Sequence, residues 1–397
     1  MRRFPQGFLW GSATSSHQVE GGNENDWSLW ERVSGHIADG SVSGTACDQY
    51  ARFAEDFALA ASLGQNAHRM SIEWSRIEPR AGEWDMAEVM HYREVLRSLH
   101  AHGLTPVVTL WHFTLPQWFA ESGGWERPDA TDIFCRYAEF VVAELCDLVE
   151  IWITINEPNV YVAQSYRVGV WPPGVRSTWR MMKVFLRIAS AHRKTYIAIH
   201  RSAKHKGTKI RLGVAMNLAT FEPWRESSLC DRFVAWVADE FYNRVWYQLT
   251  SRAHDFIGIN YYFHHRAAFS WSRGYSMHAE NGRMSDVGWT VHPEKLAVVV
   301  RGVARYGLPI YITEHGVADV RDELRQTFIT ESLACLSEEI THGADVRGYF
   351  HWSLIDNFEW EKGFAPKFGL VAVDFATQVR QPRPSAETYA KICKENI

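Results

Sequence analysis

The chain is poor in cysteine and shows no cysteine pattern. Its six cysteines, Cys47, Cys135, Cys146, Cys230, Cys335 and Cys393, are widely scattered over 397 residues with no CxxC pair. That argues against a disulfide-stapled scaffold and points to reduced thiols in a cytosolic protein. No apolar run reaches the about 18 residues of a membrane span. The N-terminal stretch MRRFPQGFLWGSATSS lacks the uninterrupted apolar core and small-residue cleavage site of a secretory signal. A cytoplasmic location is therefore expected. Blocks of like charge are also missing. With 42 Lys and Arg against 46 Asp and Glu, the formal net charge is −4, which gives no electrostatic grip on nucleic acid or an anionic membrane. The expected partner is small and neutral, and no oligomeric state is implied. No Pro/Gly/Ser-rich linker, composition break or internal repeat divides the chain. One domain over residues 1–397 is the simplest account, since α/β barrels run to such lengths.

Aromatic residues, by contrast, are plentiful, at 14% with 18 tryptophans. Core packing uses many of these. A sugar-binding cleft would use the rest, because pyranose rings present flat C–H faces that lie well on indole.

Eight short β-branched runs recur along the chain: GFLWGSATS, NAHRMSI, TPVVTLW, EIWITINE, IRLGVAMN, DFIGINYY, PIYITEH and VRGYFHWS. Between them lie helix-length segments such as 48–64, 86–103 and 130–147, with apolar residues at i, i+3 and i+4 and often a closing Gly. Strands alternating with helices imply parallel pairing, and eight such units predict an α/β fold, a (β/α)₈ TIM barrel. A doubly wound open sheet is the rival. The stretches 20–47 and 263–292, rich in Gly, Ser, Asn and aromatics, read as long loops.

Two of these runs end on a carboxylate, Glu157 on the fourth and Glu314 on the seventh. In a barrel, the C-terminal ends of the strands converge on one face, and strands four and seven lie across its mouth. Paired carboxylates flanking one bond are what glycoside hydrolysis needs: an acid for the leaving oxygen, and a nucleophile or base opposite. The bland alternative is two unrelated strand-end glutamates.

At these residues the sequence resembles the β-glucosidases of glycoside hydrolase family 1. The resemblance runs from FPQGFLWGSATSSHQVEGG through HRMSIEWSRIEP, TLWHFTLPQW, TINEPN, GINYY and YITEHG to HWSLIDNFEWEKGF. It implies a (β/α)₈ barrel that hydrolyses a terminal β-glycoside with retention, through a covalent glycosyl-enzyme, without metal or cofactor. By the same resemblance Glu157 would be the general acid/base and Glu314 the nucleophile. Arg69 and Tyr262 would hold Glu314 ionised, with Asn260 a further polar support, while Glu157 would lack such a partner. Asn156 would donate to the sugar 2-hydroxyl. Gln18, His112 and Glu359 would clamp the other hydroxyls, and Trp352 and Trp360 would supply a stacking platform and an indole donor. A carboxylate at 359 speaks against a phosphorylated sugar. His315 stands where the family motif usually has Asn, and is expected to alter hydrogen bonding around the nucleophile. The short chain implies trimmed loops near 218–230 and 263–285 and a more open cleft.

Three other readings compete. A metal-dependent barrel hydrolase would draw on 18 histidines, but no His-x-His closes the first strand, and adjacent His264 and His265 point apart on a strand. A non-catalytic sugar-binding protein would need an inactivated carboxylate, and both are present. A β-galactosidase, a β-fucosidase or a transglycosylating enzyme would use the same residues.

Overall fold

Runs rich in Val, Ile and aromatics favour extended backbone, and a helix-length return between each pair brings every run back in the same direction. In the computed structural model, which describes residues 3–272, 274–278 and 282–397, all eight runs are strands. They are β1 (Leu9–Ala13), β2 (Ala67–Ser71), β3 (Thr105–Thr109), β4 (Ile151–Asn156), β5 (Arg211–Pro223), β6 (Phe256–Ser270), β7 (Ile310–His315) and β8 (Val346–Trp352). Each pairs in parallel with the next, and β8 pairs with β1 through Gly11↔Phe350. The sheet therefore closes into a barrel, and the open-sheet alternative fails.

Long helices wrap the outside: α1 (Gln49–Ser62), α2 (Met86–Ala101), α3 (Ala130–Leu145), α4 (Thr178–Lys206), α5 (Leu229–Asp239), α6 (Leu296–Ala304), α7 (Arg325–Thr341) and α8 (Pro384–Glu395). Their ends follow local rules. Asp85 caps α2 by accepting from Ala87 N and Glu88 N, and Ser177 caps α4 by accepting from Arg180 N. Among the described residues, no helix is long and apolar enough to cross a membrane.

Two apolar layers result. Inside the barrel, Ala13, Ala67, Val107, Ile151, Ile153, Ala215, Phe256 and Phe350 pack together. The larger layer lies between strands and helices, around residues such as Val108, Trp152, Leu212, Ile257 and Ile312. Gly213 shows how tight the interior is: a Cβ there would meet the Phe256 ring at 2.6 Å.

The expectation for 263–292 is corrected. β6 continues to Ser270 and pairs antiparallel with Gly274–His278, while β5 stays paired with it out to Pro223↔Ala267. The aromatic and β-branched residues here extend the sheet beyond the barrel rim instead of forming a loop. Residues 273 and 279–281 of that stretch, like Met1 and Arg2 of the N-terminal stretch, lie outside the described residues. The stretch 20–47 is loop and turn apart from a short helix, Asp26–Trp30.

Candidate active site

The strands that carry the two glutamates are irregular near the barrel mouth. Register shifts between Ile153 and Asn156 on β4, between Ile259 and Asn260 on the β6–β7 pair, and between Ile312 and His315 on the β7–β8 pair. An extra residue in a strand re-aims the side chains that follow, and such bulges gather at barrel rims. Glu157 goes further. It leaves the strand in the left-handed region at φ 40°, ψ 59°, and Pro158 then starts a short helix.

Glu314 is buried and receives two donors. Arg69 Nη1 pairs with Oε1, and the Tyr262 hydroxyl donates to Oε2 at 2.9 Å. Arg69 is itself buried and also donates to Thr313 O, Thr109 Oγ1 and Asn156 Oδ1. These bonds fix its guanidinium beside the nucleophile candidate.

Glu157 is buried too, but among the described residues no cation pairs with it. Its Oε1 accepts from Asn260 Nδ2 at 2.8 Å and from Asn217 Nδ2 at 3.0 Å. Burial comes first, then the nearby charge of Glu314, and together they push its carboxyl up to about 8, against the weaker pull of the two amides and Arg69. The two glutamates therefore differ through environment alone.

One expectation needs correction here. The Asn260 side chain makes no hydrogen bond to the Glu314 carboxylate; it donates to Glu157 and to Asn156 Oδ1, and it accepts from Thr313. Glu157 has the amides of Asn217 and Asn260 as donors, with no cation or hydroxyl among the described residues. Asn217 was not singled out in the sequence. The available signal was its place as the polar residue closing the apolar run IRLGVAMN. An unbroken chain of contacts now links the carboxylates: Glu157, Asn260, Asn156, Arg69, Glu314.

Gln18, His112, Asn156, Glu157, Tyr262, Glu314, Trp352, Glu359 and Trp360 line one cavity of about 350 Å³. Arg69 and Asn260 stand behind this wall. His112 accepts from Asn156 Nδ2 at Nε2, and its buried Nδ1 has no partner among the described residues. Burial and then Arg69 hold its ring well below the ordinary histidine range, so it is neutral. Gln18 donates to Asn357 Oδ1 and Phe358 O, which orients its side chain. Glu359 accepts from Trp352 Nε1, and burial pushes its carboxyl up to about 8. Phe263 and His265, on the extended part of β6, form the outer wall.

His315 does not contact the Glu314 carboxylate. Its ring points away from the cavity, with Nδ1 at 2.8 Å from Tyr261 O and Nε2 at 2.8 Å from Ser332 Oγ on α7. It ties β7 to β6 and to the outer helix layer.

The family profile described as Glycosyl hydrolase family 1 matches residues 1–254 and 243–397. The chain belongs to glycosyl hydrolase family 1. As a family 1 member it is a glycoside hydrolase, and its similarity to relatives runs the full length. It is 30% identical to beta-glucosidase A of Acetivibrio thermocellus, covering 99% of this chain and 98% of that protein. It is 32% identical to beta-glucosidase 47 of Arabidopsis thaliana, covering 97% and 84%. Among solved structures, the beta-glycosidase from Pyrococcus horikoshii superposes with a TM-score of 0.93 at 36% identity, over 99% of this chain and 95% of that one. A beta-glucosidase from Thermotoga maritima in complex with castanospermine gives 0.94 at 28%, over 100% and 99%. The Acetivibrio alignment spans 448 positions against 397 residues here, so at least 51 of them have no counterpart in this family 1 chain.

Proposed function

We propose that this protein is a β-glucosidase that releases a terminal, unphosphorylated glucosyl residue with retention, working as a single barrel domain. Glu314 is the nucleophile and Glu157 the acid/base. The observation that carries this reading is the contrast between them: Glu314 receives Arg69 and Tyr262, while Glu157 is buried with amide donors only and holds its proton up to about pH 8.

Two displacements follow. A Glu314 oxygen attacks the anomeric carbon as the bond to the leaving oxygen breaks, and Glu157 gives that oxygen its proton. The product is a glycosyl ester of Glu314. Esterification removes the Glu314 charge that added to burial in raising the Glu157 carboxyl, so Glu157 gives up its proton more readily and is left as the base. It then takes a proton from water, whose oxygen attacks the same carbon and frees Glu314. Direct attack needs carboxyl groups about 5–5.5 Å apart across the bound sugar.

The glycone is held by neutral contacts. His112 offers its unpaired Nδ1, Asn156 lies beside the acid/base, Gln18 and Glu359 face the same cavity, and Trp352 and Trp360 form its aromatic wall. Each oriented hydrogen bond to a hydroxyl contributes about 1–3 kcal/mol of discrimination against sugars that leave it unmade. Glu359 gives a phosphate dianion no positive charge. The relatives named beta-glucosidase favour glucose, and rates on aryl β-glucosides, galactosides and fucosides separate the three. The shorter chain suits a more open aglycone side, walled by β6. All six cysteines are unpaired, which fits the reducing cytoplasm as the working compartment, to be checked by fractionation.

Azide tests the roles directly. Glu314→Gly abolishes hydrolysis, and added azide restores turnover as an α-glycosyl azide. Glu157→Ala with azide gives the β-anomer instead. Opposite anomers would reverse the two assignments.

A further inference from the structure

We infer that Tyr242 is a positioning residue for the acid/base: by donating to the Asn217 side-chain carbonyl, it turns the Asn217 amide N–H onto Glu157 Oε1 and leaves the acid's proton on Oε2. The inference rests on the proposed acid/base role of Glu157.

The geometry is a two-step relay. The Tyr242 hydroxyl donates to Asn217 Oδ1 at 2.7 Å, and Asn217 Nδ2 donates to Glu157 Oε1 at 3.0 Å. An amide presents its oxygen and nitrogen in opposite directions, so a donor on one end fixes what the other end offers. Asn260 adds a second N–H to the same carboxyl oxygen at 2.8 Å. An oxygen that accepts two N–H groups is a poor place for a proton. Among the described residues Oε2 takes no protein hydrogen bond, so the proton resides there, on the oxygen free to meet a leaving group.

Tyr242 is held to this task by the chain around it. It lies in a π-helical turn, Glu240–Arg244, that follows α5. Such one-turn insertions re-aim side chains and recur at functional sites. The next residue clamps the turn to β5: Asn243 Oδ1 accepts from Ala219 N at 3.0 Å, and Asn243 Nδ2 donates to Ala219 O and to Asp239 Oδ1, each at 2.7 Å. Ala219 is two residues past Asn217 on the same strand, and Asn159 Nδ2 holds the Asn217 carbonyl oxygen at 2.8 Å. Both ends of the relay are therefore tied to one strand. Burial, followed by the Glu157 charge, raises the Tyr242 phenol above the ordinary tyrosine range, so it remains a donor through the working pH range.

Loss of the Tyr242 hydroxyl frees the Asn217 amide to turn over. Its oxygen then faces Oε1, an arrangement satisfied only when that oxygen carries the proton. The carboxylate loses a donor, and the proton is drawn to the wrong oxygen. Both effects raise the pH at which Glu157 ionises.

The test is the pH dependence of kcat/KM on 4-nitrophenyl β-glucoside for the wild type, Tyr242→Phe, Asn217→Leu and Glu157→Gln. The alkaline limb moves up by about half a pH unit or more in Tyr242→Phe, and in Asn217→Leu should the first variant fail to fold. Activity at the optimum drops about tenfold. A hydroxyl with a merely structural role would lower activity or stability without moving the limb. If Glu157→Gln abolishes the limb but it stays in place in the other two variants, the positioning role is refuted and the acid/base assignment survives. If Glu157→Gln keeps the wild-type profile, the assignment fails and takes the relay with it.

Discussion

Glu157 is a residue whose burial acts against the fold. Its carboxyl ordinarily titrates near 4.5, but at about 8 here. Between these values the folded protein keeps a proton that the unfolded chain has released, so this group's contribution lowers stability as pH rises through the window. Glu157→Gln removes the penalty. Its melting temperature should match the wild type near pH 4 and exceed it by a margin that grows up to about pH 8, as calorimetry across pH would record. An unchanged difference at all pH values would contradict the raised carboxyl. The residue identities of the site were legible in the sequence, since NEP and TEHG stand out at strand ends. Their environments were not. Asn217 and Tyr242 make their contacts 60 and 25 residues apart along the chain; Asn217 is marked only by its place closing an apolar run, and Tyr242 by no local pattern. His315 likewise stood out as an unusual residue beside the nucleophile, yet its ring works on the other face of the strand.

At the scale of elements, the three helices and six of the eight strands quoted from the sequence lie within a few residues of where the apolar pattern put them, while β5 and β6 start there and run on. The period of two or of 3.6 is a local signal, and it survives in the fold. Register shifts are different. Whether a strand bulges depends on what its neighbours offer, so the irregularities on β4, β6 and β7 that aim Asn156, Glu157 and Asn260 had no sequence mark. The same holds for the extension of β5 and β6, which read as loop until the two strands could be seen to pair. Interior space is another element-level constraint. Gly213→Val would push a branched side chain into the Phe256 ring, 2.6 Å from the position of the new Cβ. Overpacking of this kind costs about 1–3 kcal/mol or more. Chemical denaturation should show that loss, whereas the exposed Gly343, with nothing near its Cβ but φ at 101°, should lose stability only through backbone strain when replaced.

The whole molecule depends on closure between its first and last strands. Helix α8 covers that seam: the Tyr389 hydroxyl donates to Gly11 O on β1 at 2.7 Å and lies 3.3 Å from Tyr349 O on β8. Tyr389, Ala386 and Ile392 are buried against it. A chain ending at Arg383 should expose the β1–β8 joint and lose both cooperative unfolding and glycosidase activity, although every residue lining the catalytic cavity remains. Circular dichroism melts and an aryl glucoside assay would check this, and full activity in the truncated chain would contradict it. By itself the sequence determined the alternation of strand and helix, the two carboxylates and the family motifs, because these reside in local patterning and in the chemistry of single side chains. Tertiary structure decided barrel closure, the buried contacts that give one glutamate an arginine and a tyrosine and make the other a proton holder, and the service of Asn260 to Glu157. Those properties arise from desolvation and from hydrogen bonds between residues distant in the chain, which exist only once the barrel has brought its strand ends together.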